Sequence, residues 1–221
     1  MAYLFPAGAV TDKIDCGTGV TNGGVNMSLA IRFRPTAANT TIRYLVQLTD
    51  STDWNFLLQF GSAGTNVVSW GFTTGAATPA VSWTTGFGAG ELHTLVGTYD
   101  GANLLLYADT DSTAKATLAE TRTPDTGTLT FVIGNRPATN NCAASTIYEV
   151  AFWPTVTLTG TQAAFFGGGY DAAYLFAPFH WRLLTTPNAR RGGQHGAITG
   201  LTRVTHDARI LYPPELWREA A

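Results

Sequence analysis

The stretch HTLVGTYDGANLLLYAD at residues 93–109 constrains the chain more than any other. Two apolar runs face each other across Asp100-Gly101, a dipeptide that accepts the positive φ of a tight hairpin turn. The same period of two recurs elsewhere. Leu29, Ile31 and Phe33 alternate with Arg32 and Arg34. Phe56, Leu58 and Phe60 repeat the pattern, as do Val68, Trp70 and Phe72, then Leu129, Phe131 and Ile133, then Tyr148, Val150 and Phe152. Successive side chains of a strand point to opposite faces, so each segment has one apolar face to bury. Only LTGTQAAFF at 158–166 reads as a helix, and it is short. Strands at regular spacing, separated by Gly, Asn and Thr turns, predict an all-β antiparallel sandwich. Leu29, Ile31, Phe33, Phe56, Leu58, Val68, Trp70, Leu95, Leu104, Leu106, Phe131 and Ile133 are its expected core.

Composition agrees. Charged residues are 13% of the 221, about half the usual share, and Gly, Thr, Ala and Asn fill the gap with strand and turn formers. A net charge of −2 provides no field that would select nucleic acid or an anionic membrane as partner. No apolar run approaches the ~18 residues of a membrane span. The opening MAYLFPAGAV lacks a basic region and a cleavage site, so the expectation is a chain made in a cytoplasm and not secreted. Cys16 and Cys142 form no framework; they are small buried hydrophobes or a single pair.

The balance of charge changes near residue 177. Residues 1–177 carry 7 basic and 12 acidic side chains, and residues 178–221 carry 6 and 3. The second segment also holds His180, His195 and His206 together with Pro178, Pro187, Pro213 and Pro214, and shows little periodicity. The expected organisation is a sandwich over 1–177 followed by an irregular, extended C-terminal arm over 178–221. Phe179 and Trp181 are expected to pack on the sandwich.

The order of motifs resembles the concanavalin A-like lectin/glucanase superfamily, in particular its laminin-G-like and pentraxin-like jelly rolls. The resemblance runs through KIDCG at 13–17, MSLAIRFRP at 27–35, ELHTLVGTYDGANLLLYAD at 91–109, LTFVIGN at 129–135 and IYEVAFWPTVTLTGTQAAFF at 147–166. It implies a two-sheet antiparallel jelly roll with the strand near Ile14 beside the strand near Val150. Two departures stand out. The turn after Tyr107 reads Asp109-Thr110-Asp111 instead of Asp-Gly, and Tyr148 replaces the usual acidic residue beside Glu149.

The resemblance also frames the chemistry. Glycoside hydrolysis needs two carboxyl groups about 5–5.5 Å or 6.5–9.5 Å apart, and the Glu-x-Asp-x-x-Glu strand of the glucanases is missing from the sequence. No nucleophile elbow, phosphate loop or zinc-type spacing occurs either. No catalytic residue is therefore expected. Calcium is the one cofactor considered, with Asp109 and Asp111 as candidate ligands, although Asp at a turn more commonly caps backbone. Sugar sites of the superfamily combine an aromatic platform with amide or acidic side chains, which nominates Trp54 and Trp83 with Asn55 and Asn103. His93 is expected to be a hydrogen-bonded core residue.

The favoured expectation is a non-catalytic component of a virion, of bacteriophage type, serving as a surface or capsid-decoration protein with glycan adhesion. Its partners would be a second copy, capsid or tail proteins, and cell-surface glycans. Leu211, Tyr212 and Trp217, on a stretch that Pro213 and Pro214 keep extended, would anchor it, with Arg190 and Arg191 adding positive charge. A free carbohydrate-binding lectin-like module is the alternative, and a diverged glycoside hydrolase the third reading.

Overall fold

The computed structural model describes residues 2–5, 13–18, 20, 24–37, 43–49, 54–60, 66–75, 77–125, 129–134, 143–183, 189–191, 197–199 and 202–204. In chain order the strands are β1 (Ala2–Phe5), β2 (Lys13–Asp15), β3 (Met27–Pro35), β4 (Arg43–Thr49), β5 (Trp54–Phe60), β6 (Val67–Phe72), β7 (Ala80–Thr84) and β8 (His93–Tyr99). They continue with β9 (Asn103–Ala108), β10 (Ala116–Ala119), β11 (Thr130–Gly134), β12 (Ser145–Trp153), β13 (Phe179–Arg182), β14 (Ala189–Arg191), β15 (Ala197–Thr199) and β16 (Thr202–Val204). Helix α1 (Gly160–Gly167) and a 3-10 turn (Ala172–Leu175) lie between β12 and β13.

The strands form two antiparallel sheets stacked as a jelly-roll sandwich. One runs β10-β9-β8-β3-β12. On the far side of β12, β1 pairs with its first half and β13 with its second, and these are extended by β16 and β14 respectively. The other sheet runs β15-β2-β11-β4-β5-β6-β7. Asp100-Gly101 makes the β8–β9 turn, with Gly101 at φ 85°, and Asp100 Oδ1 accepts from the amides of Ala102 and Asn103.

The alternating residues meet between the sheets. Phe33 packs edge-on against Phe60 with centroids 5.8 Å apart. Trp70 lies over Gly97, where an added Cβ would come within 2.4 Å of the indole, and donates from Nε1 to the Thr98 carbonyl at 3.0 Å. Every expected core residue whose side chain is described is buried. Only the Phe56 side chain lies outside the described set.

Helix α1 follows the expected segment closely. Thr159 caps it, and Thr159 and Gln162 exchange the two hydrogen bonds of a capping box, which satisfies otherwise orphaned amides of the first turn. The helix and the 3-10 turn cover the outer face of the first sheet and build a second apolar cluster there from Ala30, Val96, Ala151, Trp153, Ala163 and Phe166.

Two expectations are corrected. The strand at Ile14 does not lie beside Val150. Ile14 pairs with Ile133 in the other sheet, and the ladder continues past β2 through the Cys16 amide and the Phe131 carbonyl. The place next to the first half of β12 belongs to β1, whose four residues are too few to show a period. The sandwich also continues past residue 177. Strand β13 is hydrogen-bonded along Glu149–Phe152, Trp181 is fully buried and stacks on Phe131 at 4.5 Å, and Phe179 packs on the same core. Strands β15 and β16 then add to β2 and β1. Arg190 and Arg191 lie on β14, whereas Cys142, Leu211, Tyr212 and Trp217 lie outside the described residues. Cys16 is buried and free of any disulfide.

Candidate functional site

At the rim where edge strand β7 of one sheet meets β9 and β10 of the other, Trp83, Ala108, Asp109, Thr110, Asp111 and Lys115 line an open cleft of about 470 Å³. Trp83 is half-buried because its strand position faces inward at the sheet's margin, where the interior gives way to solvent. The indole is therefore partly packed against the core, with Phe87 edge-to-face at 5.6 Å, and partly open to the cleft. Lys115, just before β10, holds its ammonium 5.6 Å from the Trp83 ring centroid and donates to Asp111 Oδ2 at 2.7 Å.

The loop that carries the carboxylates is braced from several sides. Asp109 takes the left-handed conformation at φ 53°, which Asp tolerates better than most residues. Its Oδ1 accepts from the Thr94 amide at 2.9 Å, and its Oδ2 lies 3.1 Å from His93 Nδ1. His93 stacks on Phe87 with centroids 3.6 Å apart. Asp111 Oδ1 accepts from the Thr113 amide at 2.8 Å. The Lys115 hydrogen bond, followed by that of Thr113, keeps the Asp111 carboxyl below its ordinary pKa. Helix α1 presses on the loop at both ends: a Cβ at Gly160 would lie 1.9 Å from the Ser112 carbonyl oxygen, and one at Gly167 would lie 1.6 Å from that of Asp109. Only glycine allows this approach.

Trp83, Asp109 and Asp111 thus come together in one cleft. Asn103 does not join them; it lies at the opposite end of β9 from Ala108, about 17 Å away at the rise of a strand, where its side chain sits 3.5 Å from Asp100. Trp54 and Asn55 begin β5, whose far end, Phe60, is level with Trp83 through Val68. That puts their backbone about 20 Å from the cleft, and their side chains lie outside the described set. Asp109 and Asp111 fit a calcium ion poorly. The Lys115 ammonium already holds Asp111, and a dication bridging the two carboxylates would have to displace it.

Sequence reasoning missed a second polar group under the helix. Arg32 and Glu149, both fully buried, form an ion pair on the outer face of the first sheet. Arg32 Nη2 also donates to the carbonyls of Phe166 at 2.7 Å and Tyr170 at 3.3 Å. Glu149 Oε1 lies 2.7 Å from His180 Nε2 and accepts from the Ala172 amide at 3.2 Å. Asp171 lies 3.5 Å from His180 Nδ1. A bulge in β12 directs this group: Tyr148 is the extra residue, so Ile147 pairs with Phe33 and Glu149 with Arg32, and Glu149 turns away from the core. Glu149, Asp171 and His180 offer atoms within 4.8 Å of one another, but Arg32 already supplies their cation. This group anchors α1 and β13 to the sheet that bears the cleft. A glutamate within the apolar run IYEVAFW, and an arginine on a strand whose other face is core, were the available signals.

Residues 8–164 match the profile of a family described as the concanavalin A-like lectin/glucanases superfamily. The chain belongs to this superfamily. No curated protein sequence matches it. Among solved structures, the superfamily fold is shared with the CBM40 module of a Ruminococcus gnavus IT-sialidase bound to α2,3-sialyllactose, at TM-score 0.60 and 14% identity over 76% of this chain and 97% of that one. A heptameric SAP-like pentraxin of Limulus polyphemus aligns at TM-score 0.55 and 16% identity, covering 74% and 79%. A protein of Bacteroides ovatus aligns at TM-score 0.65 and 15% identity over 92% of this chain, which spans only 62% of that protein. These likenesses extend the fold, at identities that carry no site residue across.

Proposed function

We propose that the protein binds saccharides without cleaving them, at the rim cleft. The observation that carries this reading is the meeting of Trp83 with Asp109, Asp111 and Lys115 in one cleft of about 470 Å³, a volume suited to a small ligand. A pyranose has a face of C–H groups that can lie on the indole, and its hydroxyls can donate to the carboxylates. The likeness to a sialidase module bound to sialyllactose supports saccharides as the ligand class. The electrostatics of the loop favour binding over hydrolysis. A general acid needs an apolar setting that raises its pKa, whereas Lys115 and Thr113 lower that of Asp111.

The test is isothermal titration with an oligosaccharide panel, using the wild-type protein and Trp83→Ala, with detection of reducing ends in parallel. Binding should disappear in the variant, and no reducing ends should form. Turnover that is lost in Asp109→Asn/Asp111→Asn would overturn the non-catalytic reading, and undiminished binding by Trp83→Ala would remove the site.

On a finer scale we place this binding on a virion surface, with Leu211, Tyr212 and Trp217 as anchors to a neighbouring chain. What supports this is the density of apolar anchors around Pro213-Pro214, since buried aromatic side chains tend to dominate interface energy. Truncation after Asp207 tests it, because every described strand ends by Val204 and the sandwich stays whole. The shortened chain should fold but not assemble; assembly at full affinity would end this placement.

A further inference from the structure

The charges around the cleft do not balance. Asp109 and Asp111 are 45% and 41% exposed at the side chain, and Glu91, 66% exposed, lies 3.5 Å from His93 Nε2. Against these three carboxylates the cleft region offers one permanent cation among the described residues, Lys115. That ammonium is already engaged, 2.7 Å from Asp111 Oδ2 and 5.6 Å from the Trp83 centroid. His93 stands behind Asp109, stacked on Phe87.

The two cleft carboxylates keep acceptor capacity. Each oxygen of Asp109 has one partner, Thr94 N or His93 Nδ1, and Asp111 is held by Thr113, through its amide and its hydroxyl, and by Lys115 Nζ. A carboxylate offers about four lone-pair sites, so both can take further donors from a ligand. We infer that the cleft selects saccharides that carry a free amine, accepts neutral ones more weakly and rejects carboxylated ones. This rests on the saccharide reading above and adds the substrate class. An ammonium on the sugar would donate to the lone pairs that Asp109 keeps open, with Asp111 left to Lys115, while the ring lies on Trp83. A sugar carboxylate in the same place would face both aspartates, with the Lys115 ammonium already taken.

The experiment compares three probes by isothermal titration: a β-1,4-linked glucosamine oligomer, its fully N-acetylated counterpart of equal length, and 3′-sialyllactose. The amine oligomer should bind more tightly than the acetylated one by about 1.5–5-fold for each exposed carboxylate it meets, and sialyllactose should bind most weakly. The amine preference should shrink as salt is raised to about 150 mM, as expected for charges in contact with solvent. Asp109→Asn should narrow the ratio between the two oligomers, since asparagine also tolerates the left-handed backbone, and Trp83→Ala should remove all binding. Equal affinity for the amine and acetylated oligomers overturns the inference. So does sialyllactose binding as tightly as the amine oligomer with loss in Trp83→Ala, and in that case the saccharide reading still stands. Binding of none of the three removes both.

Discussion

Glu149→Gln is the sharpest probe of how the sheet holds its helix. The substitution keeps the shape and one acceptor but removes the charge that faces Arg32, and both side chains are fully buried. Removing one partner of a buried pair costs about 3–5 kcal/mol, because the other charge stays in a low-dielectric interior. The amide oxygen can retain roughly one hydrogen bond, from Ala172 or Arg32, worth about 1 kcal/mol. The expected loss is about 2–4 kcal/mol. Urea unfolding followed by tryptophan fluorescence will read it, since Trp70, Trp153 and Trp181 are fully buried; the midpoint should fall with little change in slope. The pH dependence adds a second reading. Burial alone would raise the Glu149 pKa, but the His180 hydrogen bond, the Arg32 and His180 charges and the Ala172 amide outweigh it and hold the pKa below the ordinary value. A group depressed in the folded state contributes fully above its unfolded pKa, about 4.3, and loses that contribution as pH falls through the folded value. The gap between wild type and variant should therefore narrow as pH falls below about 4. A loss under about 1 kcal/mol at neutral pH would refute the network as an anchor.

Three further outcomes are expected. Phe33→Ala removes a fully buried ring in contact with Phe60 and Phe87 and should cost about 3–5 kcal/mol in urea unfolding; a loss under about 1 kcal/mol would mean that the ring does not fill the core. Gly167→Ala drives a methyl against the Asp109 carbonyl, so it should cost about 1–3 kcal/mol and shift the amide resonances of residues 109–112, whereas unchanged spectra would show that the loop yields freely. The Cys16 thiol is pushed far above its ordinary pKa, chiefly by burial and then by Asp15, so iodoacetamide should modify Cys16 in urea and not in the native protein, as peptide mapping will show.

Strands with one face in the core were legible from their alternation, and the hairpin at Asp100-Gly101 was legible from its turn chemistry. Strand β4 was not, because Tyr44, Leu45, Val46 and Leu48 are all buried and register shifts at Tyr44/Val46 and Leu48/Thr49 break the period. Strand β13 is four residues long, too short for a pattern, although Phe179 and Trp181 stood out as apolar. For the site, Trp83, Asp109 and Asp111 could each be nominated for local reasons, as an aromatic at a strand edge and as acids in a reshaped turn. Their meeting could not be read, since it depends on β7 and β9 lying in different sheets. Arg32 was visible only as a polar residue on the outer face. Nothing in its own strand shows that a helix at 160–167 will roof that face and bring Glu149 under it.

Strand β12 has one free edge, and two distant parts of the chain divide it: Tyr3–Phe5 take Ser145–Ile147, and Phe179–Arg182 take Glu149–Phe152. During synthesis at about 5–20 residues per second, the first of these would wait roughly 7–30 s for its partner to leave the ribosome. Strand β3 is in the same position, since its two neighbours are β8 and β12. Closure of the first sheet is thus reserved for the late phase of translation, and pairings this remote in sequence fold slowly. In that interval the nascent chain exposes apolar strand edges that a chaperone could hold. Release of a ribosome-stalled series should show protease resistance rising abruptly once residue 183 has cleared the exit tunnel, because Trp181 and Leu183 complete the core.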